Sequence, residues 1–182
     1  VKHQLLSSLQ GPKATFNWIE AEQKVLEPSD ELPRILAESA LRAGVLDVAR
    51  NCAQKVVNSV PNDPYGQFLL AEAIFLRAVG DKETAHLLSV APTPAEAEQL
   101  READALYSRG LELLDQREHP NQFSLCIGQR GAVRIMLGKW DAALNDLDTA
   151  IRLDPKNVTA RHNRLVLRIR IGPQDDIAEE AL

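Results

Sequence analysis

From Ser124 to Leu137, Leu125, Gly128, Ala132, Ile135 and Met136 recur at helical spacing. From Trp140 to Leu153, so do Trp140, Ala143, Leu144, Leu147, Ala150 and Ile151. Steps of three and four place such residues on one stripe of an α-helix, which must be buried against a neighbour. Leu137-Gly138-Lys139 separates the two segments, and Gly138 suits the left-handed conformation that closes a helix C-terminus. Asp154-Pro155-Lys156-Asn157 predicts a turn, with Asn157 as N-cap of a helix running to about Ile171.

The same unit recurs more faintly along the chain. Gly44, Gly80, Gly138 and Gly172 are each followed five residues later by a small or aliphatic residue: Ala49, Ala85, Ala143 and Ile177. The first two glycines are 36 residues apart and the last two 34. A period near 34 marks stacked two-helix units, none of which can bury its apolar face alone. Leu36-Ala37, Gly44, Leu46, Ala49, Val56 and Pro61 form one such unit. A second starts at Pro64 with Leu70-Ala71, or Ala73 in an alternative register, and continues to Gly80 and Ala85. The register breaks between Gly80 and Gly138, which are 58 residues apart. Ala91-Pro92-Thr93-Pro94 interrupts the pattern there, and a long helix is predicted from Pro94 to Arg117. Within it, Ala103, Tyr107 and Gly110 look like the end of a repeat's second helix. Phe16, Trp18 and Ile19 fall in a further predicted helix near the start.

Gly131, Leu137-Gly138, Trp140, Ala143, Leu147, Ala150 and Pro155 carry a family pattern: the unit resembles a tetratricopeptide repeat (TPR). The physical sense is plain. Gly131, Ala143 and Ala150 are small where helices press together, Trp140 and Leu147 fill the core, and Pro155 cannot extend the helix before it. Ile127, Arg130 and Arg134 stand where the family usually carries Trp, Leu and Tyr, which predicts looser helix packing on that side. The resemblance implies an all-α fold, a right-handed α-α superhelix of antiparallel helix pairs. Residues 1–30 are expected to form an N-terminal capping helix region. Residues 31–182 are expected to form the TPR-like repeat domain, irregular at 92–121, in a fragment of a longer protein.

By the same resemblance, the first helices of successive repeats line a concave groove. Arg34, Glu38, Tyr65, Phe68, Glu72, Phe75, Leu125, Ala132, Ile135, His162 and Val166 would then face inward, some of them as core. TPR proteins that bind chaperones clamp a C-terminal carboxylate with Lys, Asn and Arg. The matching places here hold Glu38, Phe68, Glu72, Gly128 and Ala132, which does not support that clamp. A mixed apolar groove suits an amphipathic helix or an extended segment. Arg34, Tyr65, Phe68, Glu72, Phe75, Ile135, His162, Arg164 and Arg168 are the candidate partner-binding residues.

Charge and chemistry narrow the remaining options. The net charge of −5 is uneven: nine Lys/Arg against four Asp/Glu between Asn121 and Gly172, twelve against twenty-two elsewhere. Arg161, Arg164 and Arg168 share one face of the last helix, with Arg170 nearby. This is a solvated face or a contact for an acidic ligand or a nucleic-acid backbone. The absence of interleaved aromatics and the overall acidity argue against nucleic acid. Cys52 and Cys126 lie in apolar helical stretches as small core residues, and the scattered His3, His86, His119 and His162 have no metal-ligand spacing. Gly128-Gln129-Arg130-Gly131 sits inside a predicted helix without a following Lys-Ser/Thr, so it is no phosphate loop.

The expected function is a protein–protein interaction scaffold or adaptor that binds a protein or peptide partner in its groove. It is not expected to be an enzyme, to need a cofactor or metal, or to engage a membrane. The alternative is a structural module that self-associates or packs within a larger protein. The compartment is left open, cytoplasmic by default.

Overall fold

The computed structural model describes residues 11–22, 31–80 and 91–172, which form eight helices and no strand. In chain order these are α1 (Pro12–Glu22), α2 (Leu32–Ala43), α3 (Leu46–Ser59) and α4 (Pro64–Val79). They are followed by α5 (Pro94–Leu113), α6 (Pro120–Met136), α7 (Trp140–Leu153) and α8 (Val158–Ile171). Helices α2 and α3 pack as one pair, α4 and α5 as the next, and α6 and α7 as the third. Helix α8 then packs on α7 and α6, while α1 covers α2. The result is an all-helical solenoid of stacked helix pairs, as the resemblance implied.

Local chemistry sets the helix ends. After α2, the Val45 N–H donates to Ala40 O (2.9 Å) and the Gly44 N–H to Leu41 O (3.1 Å). After α6, the Lys139 N–H donates to Arg134 O (2.9 Å) and the Gly138 N–H to Ile135 O (3.0 Å). Both are Schellman closures, with Gly44 at φ 73° and Gly138 at φ 71°. Gly80 differs: its ψ is −150°, and its N–H donates to Leu76 O at 2.9 Å. Asp63 caps α4 by accepting from the backbone N–H groups of Tyr65 and Gly66, both at 3.1 Å. Thr93 and Glu96 form a reciprocal capping box at the start of α5. Asn157 caps α8, accepting from the Ala160 N–H at 3.0 Å.

Three sequence expectations are refined. The long helix ends at Leu113, not Arg117, because Asp115 accepts from the Arg117 N–H (2.7 Å) and turns the backbone. Helix α6 starts at Pro120, ahead of the expected Ser124. Helix α5 packs along α4 as the second member of its pair, so the stretch read as irregular, 92–121, holds a regular member of the stack. Ala85, Ile177 and the remainder of 81–90 and 173–182 lie outside the described residues.

The core runs continuously through the pairs, with Ile74, Leu100, Tyr107, Leu147 and Leu167 almost wholly enclosed. Close approach depends on missing side-chain atoms. A Cβ at Gly110 would lie 2.3 Å from the Phe68 ring, and one at Gly131 would lie 2.9 Å from Leu147 Cγ. The predicted contact role of Gly131 beside Ala143 and Leu147 therefore has a direct geometric basis.

The side carrying Arg130 and Arg134 is not loosely packed. Arg130 Nε and Nη2 donate to the Asp146 carboxylate at 2.9 and 2.8 Å, and its Nη1 donates to Ser108 Oγ at 3.1 Å. Arg134 donates to Asp104 at 2.9 Å and to Asp146 at 2.8 Å, and Lys139 Nζ donates to Asp104 at 2.6 Å. Ion pairs thus occupy the space where the family pattern places Leu and Tyr, and they tie α5, α6 and α7 together. Both carboxylates are buried. Burial alone would push Asp104 up, but hydrogen bonds from Lys139 and Arg134 outweigh it and hold its carboxyl below the ordinary value.

Candidate functional site

The first helices of the three pairs, α2, α4 and α6, border an open cavity of about 480 Å³. Helix α2 contributes Arg34, Glu38, Leu41 and Arg42, and α4 contributes Tyr65, Phe68, Leu69 and Glu72. Helix α6 adds Gln122, Leu125, Cys126 and Gln129, and Tyr107 reaches in from α5. Register explains the grouping: 34–38 and 65–68–72 step by three or four residues, and so do 122–125–129, so each helix turns one stripe to the space.

Aromatic rings build the deep wall. Phe68 and Tyr107 stack at 6.3 Å between centroids, and Tyr65 meets Phe68 edge-on at 6.5 Å. The Arg34 guanidinium lies 4.7 Å above the Tyr65 ring and also pairs with Glu38 at 3.4 Å. Tyr107 is 1% exposed, yet its Oη has no hydrogen-bond partner among the described residues. Burial raises the Tyr107 phenol well above its ordinary value, and the Glu72 and Cys126 charges raise it further. Burial also raises the Glu72 carboxyl. Cys126 is pushed up to about 12 by burial, against a hydrogen bond from Gln122 at 3.5 Å that lowers it, with Glu72 raising it again. At neutral pH this thiol is protonated and behaves as a small core group.

The structure brings Arg34, Tyr65, Phe68 and Glu72 to one cavity. Phe75 packs against the core outside that cavity, and Ile135 is buried in it. His162 and Arg164 border a second, separate opening with Ile151, Pro155, Val158, Arg161 and Leu165. Arg168 lines neither. Arg164 pairs with Asp148 at 2.6 Å, and Arg170 lies 5.0 Å above the Trp140 ring, so part of the arginine series is engaged within the fold.

Sequence reading had not placed Tyr107, Gln122 and Gln129 at the groove. Tyr107 belongs to the apolar stripe of α5, and only the pairing of α5 with α4 brings it beside Phe68. Gln122 and Gln129 flank Leu125 at helical spacing, a signal available once Leu125 was placed inward. Among the described residues no cluster of His, Cys, Asp and Glu could hold a metal ion, and no helix is long and apolar enough to cross a membrane.

No family model and no curated protein matches the sequence. Solved structures do match the fold. The thermophilic TPR protein TTC0263 of Thermus thermophilus is 20% identical, covering 93% of this chain and 79% of its own, with a TM-score of 0.68. MamA is 12% identical over 92% of this chain and 82% of its own, with a TM-score of 0.65. The first TPR of Spaghetti (RPAP3), solved bound to the HSP90 peptide SRMEEVD, is 18% identical. It covers 78% of this chain and 92% of that one, with a TM-score of 0.59. The fold of this chain is that of tetratricopeptide-repeat proteins.

Proposed function

We propose that this chain is a protein-interaction module that holds a segment of a partner in the groove between α2, α4 and α6. The observation that carries the reading is the cavity itself: three successive first helices turn mixed apolar and polar stripes into one open space. Leu125 supports it, being 48% exposed at the edge of that space, where an apolar residue gains by being covered. The similar TPR structure solved with an HSP90 peptide shows that this fold can accept a peptide. In this reading the module works by binding alone, and catalysis is not part of it.

Phe68 is a poor probe of the groove, because its ring fills the space above Gly110 and its loss would damage the core. A photo-crosslinking residue at Leu125 or Leu69 tests the reading without opening a cavity. Adducts to a partner are expected from those two positions and not from exposed Asn145 on α7. Adducts only from Asn145, or only from Leu165 on α8, would move the site away from the groove. Concentration-dependent mass in light scattering, with the adducts formed to a second copy, would favour the structural alternative.

A further inference from the structure

We propose that the groove recognises a basic side chain, a lysine or arginine of the partner segment, with Glu72 as the acceptor and the aromatic wall as the bed for its aliphatic stem. The inference rests on the groove reading above and gives its partner a chemistry.

Charge accounting in the cavity leads to it. Four charged residues line the space: Arg34, Glu38, Arg42 and Glu72. Arg34 and Glu38 neutralise each other, and the Arg34 guanidinium is further held over Tyr65. Arg42 is exposed, so solvent screens it at the rim. Glu72 sits half-buried on α4, and among the described residues no cation lies within ion-pair distance and no hydrogen bond reaches it. A carboxylate withdrawn from water with no partner is unfavourable, and an incoming cation removes that cost. Tyr107 supplies the second, independent observation. Its side chain lines the same cavity, its hydroxyl is buried and has no hydrogen-bond partner among the described residues, and the Glu72 charge acts on it. An ammonium or guanidinium can donate to both Glu72 and Tyr107 Oη. Apolar methylenes of the same side chain fit against Phe68, Tyr65 and Leu69, as long basic side chains do when they bury the stem and keep the charge paired. Gln122 and Gln129 offer carbonyl oxygens on the α6 side.

A carboxylate-terminated or acidic segment would instead approach Arg34 and Arg42 and leave Glu72 facing like charge, which is the competing outcome of the test. A random heptapeptide display library would be selected on the wild-type chain, and the best peptide measured by fluorescence anisotropy. Lysine or arginine is expected to be enriched at one position. Replacing it with norleucine, which keeps the stem and removes the charge, should weaken binding about tenfold or more. Glu72→Gln should lose about as much for the basic peptide and nothing for its norleucine form, and Tyr107→Phe about threefold. An acidic or purely apolar consensus, or a basic one indifferent to norleucine and to Glu72→Gln, overturns the proposal while leaving the groove in place. Enrichment of no peptide at all overturns the groove reading with it. The norleucine comparison uses only wild-type protein, so it stands even if a variant folds poorly.

Discussion

Where α1 to α4 meet, Ala37, Ala40, Ala49, Ala53, Ala71 and Ala73 are fully enclosed, and helices approach because little stands between them. Where α5, α6 and α7 meet, two arginines, a lysine and two aspartates fill the same kind of seam. The first seam is non-directional: any small apolar residue of similar volume would serve. The second is directional, because each donor must find its acceptor at 2.6 to 2.9 Å. Buried ion pairs of this kind add little net stability over a well-packed apolar seam, but breaking one partner is costly. The two regions therefore fail differently, and each can be tested where it differs most.

The largest effect is expected at Asp146, which is 1% exposed and accepts from both Arg130 and Arg134. Asp146→Ala leaves the partly buried Arg130 guanidinium without a carboxylate and Arg134 with Asp104 alone, and should cost about 3–5 kcal/mol in urea unfolding. A loss below about 1 kcal/mol would show that solvent already neutralises the pair. In the α4–α5 seam, Gly110→Ala drives a methyl into the Phe68 ring and should cost about 1–3 kcal/mol, without altering the salt dependence of stability. A neutral result there would mean that Phe68 has room to swing away.

Acid separates the regions further. Asp104 has a folded pKa below its ordinary value of 3.8, so its stabilising contribution is full above that value and is lost as pH falls through the folded pKa. Glu72 runs the other way. Its pKa is raised by burial, so its contribution is full below its ordinary value of 4.5 and is lost as pH rises through the folded pKa. Hydrogen exchange below about pH 4 should consequently accelerate in α6 before α3. Uniform acceleration would contradict an acid-sensitive seam. The smallest effect belongs to the exposed Arg101–Glu98 pair at 2.7 Å, where Arg101→Ala should change stability by no more than about 0.5 kcal/mol in the same urea experiment.

Legibility followed sequence distance. The α6–α7 pair, its Gly138 closure and the Asn157 cap were all readable, because each depends on residues within a few positions of one another. The pairing of α4 with α5 was not, since the interrupted period hid it, and with it went Tyr107 and the deep wall of the groove. Arg130 and Arg134 were visible as departures from the repeat pattern, but their acceptors Asp104 and Asp146 lie 12 to 30 residues away and are unremarkable as surface-type residues on other helices. Four of the candidate groove residues, Arg34, Tyr65, Phe68 and Glu72, needed only helix register and the repeat to be placed side by side.

The sequence by itself determined the helical period, the positions of the small residues and the glycine closures, because these are properties of the local chain. Only the tertiary structure decided which helix pairs with which, which charges neutralise each other and which are left over. Glu72 and Tyr107 illustrate the point: that their carboxylate and hydroxyl have no partner among the described residues is defined by everything around them, and no local pattern records it.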